Sequence, residues 1–427
     1  MSEGETALPR QDAKVIGLVG LAHASSHFYH LTLPALFPVL KDAFEVSYTA
    51  LGLTLTVFFS VSGFAQVAAG FAVDHWGPPR VLAAGVALLG ISAILAGLAP
   101  AFWALFPIAV LAGIGNAVFH PADLAILTHR VTPTRMARAY SLHTVMGTLG
   151  WAASPVTMIL LSERFGWRAA LIAVGLVFTA LAAALVLEHR VLRAPVHRTP
   201  AGERLTWRLL LAPAIVASFA FFALLALALS GTQTFMPTLL PLAQEISYPL
   251  AATATTVYLV ASAVGSLAGG VLADRTSQHE RVVAAGLFGA GALTLVVGFV
   301  PMSLPALFAV IVLLGVLTGL TVPSRDMLVR GATPPGATGK VFGFVYSGLD
   351  LGSVLAPLAI GAMLDSGTPR AAFAFMAAAL MATIASAQFV KGPGRSTGTH
   401  RAGVRGEPSG LQGSSGAGPL PSPDPGE

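Results

Sequence analysis

Cysteine is absent from the 427-residue sequence, so no disulfide and no thiolate metal site can form. Charge is scarce: 10% of residues are Asp, Glu, Lys or Arg, against about 25% in soluble domains. No Gly-x-x-x-x-Gly-Lys-Ser/Thr stretch occurs, so the chain has no ATP engine of its own. Its polar residues form no nucleophile–base pair at a recognisable spacing and no metal-site motif, which argues against an enzyme. What the sequence does hold is apolar: 55% hydrophobic residues and a mean hydropathy of +0.77. A water-soluble protein of this length cannot hide so much apolar surface, whereas a bilayer accepts it.

A transmembrane helix needs about 20 mostly apolar residues to cross roughly 30 Å of hydrocarbon. Twelve such spans are expected, at 15–40, 49–72, 81–99, 102–127, 139–161, 168–188, 209–235, 249–272, 282–300, 304–329, 340–364 and 370–390. The runs are continuously apolar and too long for barrel strands, so the fold class is an all-α membrane protein. The polar start, residues 1–14, leads into an apolar run longer than a signal-peptide core, with no small-residue cleavage pattern. Residues 189–208 are basic and lack apolar periodicity, and read as a linker between two six-helix bundles, 15–188 and 209–390. The tail 391–427 is rich in Gly, Ser and Pro and reads as disordered.

Lys and Arg set the orientation. With both termini in the cytoplasm, only Lys41, Arg164, Arg168 and Arg370 fall in outer loops, and Arg325 alone falls inside a span. All other basic residues lie inside. Their distribution accounts for the net charge of +5 without a nucleic-acid partner.

The second bundle repeats the first. Glu45-Val-Ser-Tyr48 recurs as Glu245-Ile-Ser-Tyr248, and Asp74 aligns with Asp274 at the same offset. Gly113, Gly150 and Pro155 align with Gly315, Gly352 and Pro357 at a neighbouring offset. Six spans separate equivalents, so the halves are parallel repeats, the plan of one large transporter class.

Residues 70–80 read Gly70-Phe-Ala-Val-Asp74-His-Trp-Gly77-Pro-Pro-Arg80, with a weaker copy at Gly270-Val-Leu-Ala-Asp274-Arg275. This resembles the Gly-x-x-x-Asp-x-x-Gly-x-basic-basic signature of the major facilitator superfamily. The resemblance covers twelve spans, linker and both signatures. It implies that Asp74 joins a charge network closing the cytoplasmic face, with Arg138 and the start of the eleventh span as candidate partners. Here Pro78 and Pro79 displace part of the basic pattern and leave Arg80 alone. The fourth span carries Gly113-Ile-Gly115-Asn-Ala-Val-Phe119-His120-Pro121, which looks like the fosmidomycin-resistance branch, a group of exporters. Drug–proton antiporters of the superfamily place an Arg four residues before the first of these glycines; here that residue is Ala109. The fifth and eleventh spans carry Gly147-x-x-Gly150-x-x-x-Ser154-Pro155 and Gly348-x-x-x-Gly352-x-x-x-Ala356-Pro357. Small residues four apart allow close helix crossings; a bend that gates one face is the functional alternative.

An ionisable group inside a span costs about 2.5–3.5 kcal/mol even on insertion scales, so each one asks for a reason. His23, His27 and His30 share one face of the first span. They fit a proton or solute pathway; with no carboxylate on that helix, no metal is expected. Asn116, His120 and Asp123 share a face of the fourth span. Arg325, Asp326 and Asp350 are expected to form a polar cluster in the second half. The expected function is secondary active transport of a small organic solute by alternating access, as a proton-coupled exporter. The alternatives are uptake or uniport of a small organic acid, and a non-transporting membrane sensor. No cofactor is expected; the lipid bilayer is the main partner, the functional unit a monomer, and the location a bacterial inner membrane.

Overall fold

A computed structural model describes residues 10–193, 211–332 and 338–390. Among them every regular element is helical: α1 (Arg10–Thr32), α2 (Phe37–Phe44), α3 (Tyr48–Trp76), α4 (Pro78–Gly97), α5 (Leu105–Asn116), α6 (Phe119–Arg130), α7 (Met136–Phe165), α8 (Trp167–Leu187), α9 (His189–Leu192), α10 (Pro213–Gln244), α11 (Tyr248–Arg275), α12 (His279–Phe299), α13 (Leu304–Ala332), α14 (Thr338–Asp365) and α15 (Pro369–Val390). Eleven stretches are long and apolar enough to cross a membrane, with α5 and α6 counted as one. The twelfth crossing is α1, which is absent from that set because its histidines and serines lower its hydropathy. The first six crossings form one half and the last six the other. Below, "terminal face" means the side where α1 begins, and "opposite face" the side where it ends.

Prolines reshape two of the expected spans. Pro34 and Pro38 replace the end of the first with a 3₁₀ turn, Pro34–Leu36, and the short α2. Pro121 breaks the fourth: a proline removes one backbone donor and crowds the carbonyl four residues before it, here Ala117, and α5 gives way to α6 at residues 117–118. The seventh, by contrast, runs through Pro237 and Pro241 to Gln244, beyond its expected end at 235. The expected linker begins with the short α9; most of it, and the whole expected tail 391–427, lie outside the described residues.

The repeat is visible in the backbone. Glu45 and Glu245 end α2 and α10 with φ of 55°, the only non-glycine residues with positive φ among those described. Ser47 and Ser247 then start α3 and α11 in extended conformation. Aligned glycines make equivalent crossings. A Cβ on Gly113 would lie 2.7 Å from the Phe58 carbonyl oxygen of α3, and one on Gly315 would run into that of Tyr258 on α11. Gly150 meets the Ala24 carbonyl of α1 in the same way, and Gly352 meets that of Ala223 on α10. Contacts this close admit only glycine.

The core of each half is apolar, and α1 is tied down at the terminal face by ion pairs. Lys14 Nζ lies 2.7 Å from Glu188 Oε1 at the end of α8, and Arg135 lies 3.6 Å from the buried Asp12.

Candidate functional site

Three helices of the first half bring their ionisable groups to one place. Asp123 of α6 is fully buried and accepts from two imidazoles at one oxygen, His23 Nδ1 at 3.1 Å and His143 Nε2 at 3.0 Å. Its other oxygen, Oδ1, has no partner. The rings of His23 and His143 stack with centroids 3.7 Å apart. His120 lies on the adjoining turn of α6, its ring 5.6 Å from His23, and is exposed. An imidazole facing lipid is costly, which puts this exposure toward the space between the halves.

The stripe continues along α1. His27 lies 4.3 Å from His23 and stacks on Trp151 of α7 at 4.0 Å. His30 Nδ1 accepts from the Trp151 indole at 3.2 Å, and its Nε2 meets Asn116 Oδ1 at 3.0 Å. Asn116 also accepts from Ser26 and donates to Ser62 of α3. So buried polar side chains of α1, α3, α5, α6 and α7 form one connected set. Two local features allow it. The break at residues 117–118 lets Asn116 and Asp123 be set by separate helices. Gly147 leaves room on α7, since a Cβ there would lie 2.7 Å from His27 Nδ1. Pro155 frees the Trp151 carbonyl four residues back.

Of the expected residues, His23, His27, His30, Asn116, His120 and Asp123 therefore come together. His143, Trp151, Ser26 and Ser62 were not expected. His143 is itself an ionisable group inside a span, so the rule that singled out its neighbours applies to it equally.

The expected cluster in the second half forms only in part, without Asp350. Arg325 pairs with the adjacent Asp326, Nε to Oδ1 at 2.9 Å, and lies over the Phe222 ring at 4.9 Å. No ion pair joins either to Asp350 among the described residues. The reason is helical geometry. Gly348 and Gly352 face α10, against Phe219 and Ala223. Asp350, two residues from each, points about 200° away, toward the first half, where its carboxylate lies 3.6 Å from the position of a Cβ on Gly63 of α3. Asp350→Asn and Arg325→Gln are consequently expected to add: a double-mutant cycle on thermal stability should show coupling below about 0.5 kcal/mol.

The halves meet on the opposite face. The Asp365 carboxylate, at the end of α14, accepts from the backbone N–H groups of Tyr48 at 2.7 Å and Thr49 at 2.8 Å, and from the Thr49 hydroxyl. A Cβ on Gly52 would lie 2.6 Å from the Pro357 carbonyl. Thr56 donates to the Val354 carbonyl at 2.9 Å, and Thr256 of α11 to that of Ala152 on α7 at 2.6 Å. Toward the terminal face such contacts are missing among the described residues. Gly70 continues the α3 stripe of Gly52, Thr56 and Gly63, yet no described residue comes within 4 Å of a Cβ built there, nor of one on Gly270. Arg80, Arg138, Asp274 and Arg275 are exposed. Asp74, in the last turn of α3, forms no ion pair with Arg138 or any other described residue. Gly77 ends α3 and starts α4 with φ of 86°, a conformation that favours glycine.

The model of the Major Facilitator Superfamily matches residues 19–245 and again residues 221–413. The chain belongs to the major facilitator superfamily. Within it, the sequence is similar to the fosmidomycin resistance protein of Escherichia coli, 23% identical over 367 residues, covering 82% of this chain and 87% of that protein. It is also similar to a probable sulfoacetate transporter of Cupriavidus necator, 24% identical over 278 residues, 61% of this chain and 64% of that one. An uncharacterized MFS-type transporter of Bacillus subtilis is 26% identical over 154 residues, 36% of this chain and 37% of that protein. Among solved structures, a bacterial homolog of the human lysosomal transporter Spinster, in an inward-facing and occupied conformation, matches with a TM-score of 0.72 at 16% identity over 90% of this chain and 97% of the other. The nucleoside transporter NupG matches at 0.73 and 16% identity, over 88% and 100%. These two likenesses concern the fold. The superfamily assignment makes this chain an integral membrane transporter of a small molecule and not an enzyme, with twelve helices in two parallel repeats.

Proposed function

We propose that the chain exports a small organic solute by alternating access, driven by proton exchange, as a monomer in the inner membrane of a bacterium with its terminal face toward the cytoplasm. One observation carries this reading: α3 and α14 are joined from Asp365 down to Gly63, whereas no described residue comes within 4 Å of a Cβ on Gly70 or Gly270, the pattern expected of a space that opens toward the terminal face. The likeness to the fosmidomycin resistance protein, over most of both chains, supports export. The deep ionisable groups, Asp350 or the histidines of α1, are the candidates for the site a proton would use. The likeness to a probable sulfoacetate transporter favours a second reading, uptake of a small organic acid.

The test is flux in proteoliposomes with an imposed pH gradient, against a panel of neutral, cationic and anionic compounds. Solute movement opposite to the proton gradient, at least about tenfold above empty vesicles, is expected. Co-movement of an organic acid with protons would favour the second reading. Flux indifferent to the gradient would remove proton coupling.

A further inference from the structure

We propose that Asp123, His23 and His143 hold the single exchangeable proton of the cycle, and that His120 connects them to the space between the halves. This rests on the exchange reading above and names its proton site.

The first argument is charge. Asp123 is wholly enclosed, and no Lys or Arg among the described residues reaches it. On α1 the other charged groups, Arg10, Asp12 and Lys14, lie in the first turns, where Asp12 and Lys14 meet Arg135 and Glu188. On α7 they are Arg138, Glu163 and Arg164, near its ends. The helices α3 and α4 contribute only Asp74, His75 and Arg80, all at the terminal face. Apart from His120 and His27, already described, only two imidazoles face the carboxylate.

The second argument is proton count. Two neutral imidazoles each donate one N–H to Oδ2, which leaves the cluster at a charge of −1. One proton, on the free nitrogen of either ring, brings it to zero. A second would place two imidazolium rings face to face at 3.7 Å. Groups so close titrate as a unit, and this unit has room for one proton.

The third argument separates the cluster from a metal site. The three ligand atoms lie within 4.8 Å of one another. Metal ligands at about 2.0–2.1 Å must converge from tetrahedral directions. Here the two imidazoles stack, with planes 28° apart, in place of the spread that tetrahedral ligands need. The shared carboxylate oxygen, by contrast, is at hydrogen-bond distance from both rings.

The fourth is access. His120 is exposed and within reach of His23 through one bridging water. On the other side, His27, with an unpartnered Nδ1, and then His30 continue the ring series toward the opposite face. One proton site thus has imidazole neighbours leading both ways.

Spin labels at Thr132 and Ser277, exposed positions on the terminal face of the two halves, report opening of that face; the chain has no native cysteine to remove. Exchange requires the terminal-open form to release the proton, so by linkage raising the pH favours that form. In lipid nanodiscs the wild type is expected to show this shift with a slope of one proton, about tenfold in the open-to-closed ratio per pH unit. Asp123→Asn and His143→Gln should each flatten it. A pH dependence that survives both cluster changes overturns the assignment while leaving exchange intact. An absent dependence in the wild type overturns both. A reversed slope, still abolished by Asp123→Asn, supports the site and overturns exchange. The wild type also offers a readout independent of variant folding: nitrogen-15 NMR of labelled histidines should show His23 and His143 titrating together by one proton, and two separate protonations would overturn the proposal.

Discussion

Asp365→Ala is expected to open the opposite face. Spin labels at Ala43 and Ser303, exposed there on the first and second halves, should gain a population at longer distance. Asp365 is the one side chain that accepts from the N-terminus of α3 across the two halves. A carboxylate in this place satisfies backbone donors that no intrahelical acceptor can reach, and its charge opposes the positive end of the helix. Loss of such a cap costs about 1–2 kcal/mol. When the lost contact lies between two mobile bodies, that cost moves their equilibrium, by roughly 5–30-fold toward the open form. Asp365→Asn, which keeps an acceptor but not the charge, should fall between. An unchanged distance distribution in Asp365→Ala would show that the Gly52–Pro357 and Thr56–Val354 contacts hold the face closed by themselves.

The latch is also a measure of what the sequence allowed. Asp365 is a carboxylate at a helix end, where nothing in composition distinguishes it from a solvated surface group; only the fold brings Tyr48 and Thr49 to it. The long periodic features were legible: apolar runs gave the spans, and Glu45-Val-Ser-Tyr48 with its copy gave the repeat, since a left-handed residue followed by a capping serine is a local device written in a few residues. The α1 stripe was legible too, because three histidines at helical spacing must share a face. What joined them was not. Which way Asp350 points depends on Gly348 and Gly352 packing against α10, a tertiary fact. Spacing therefore suggested that Asp350 joins Arg325 and Asp326, and the helix rotation turns it away from them. Likewise, Asp123 was visible as a costly buried charge, but its two imidazole partners come from helices 100 residues before it and 20 after it.

Gly70→Leu is expected to fold, and to abolish transport. No described residue lies within 4 Å of a Cβ at this position, so expression and thermal stability should stay close to wild type. Closure of the terminal face is another matter. On the opposite face the same stripe of α3 packs so closely that a Cβ on Gly52 would sit 2.6 Å from a carbonyl oxygen. If the terminal face closes in the same manner, Gly70 takes the place of Gly52, and added carbon atoms stop the approach. Overpacking a close contact by even one methylene costs about 1–3 kcal/mol, and a leucine adds four carbons. Labels at Thr132 and Ser277 should then report the open distance at every pH, and flux should fall at least about a hundredfold. Gly270→Leu, its repeat equivalent, should do the same. Gly150→Leu supplies the contrast: a Cβ there already runs into the Ala24 carbonyl of α1, so this change is expected to prevent folding rather than cycling. Normal flux in Gly70→Leu would mean that α3 does not approach its neighbour at this depth, and that the signature glycine serves the turn at Gly77 and not the closure.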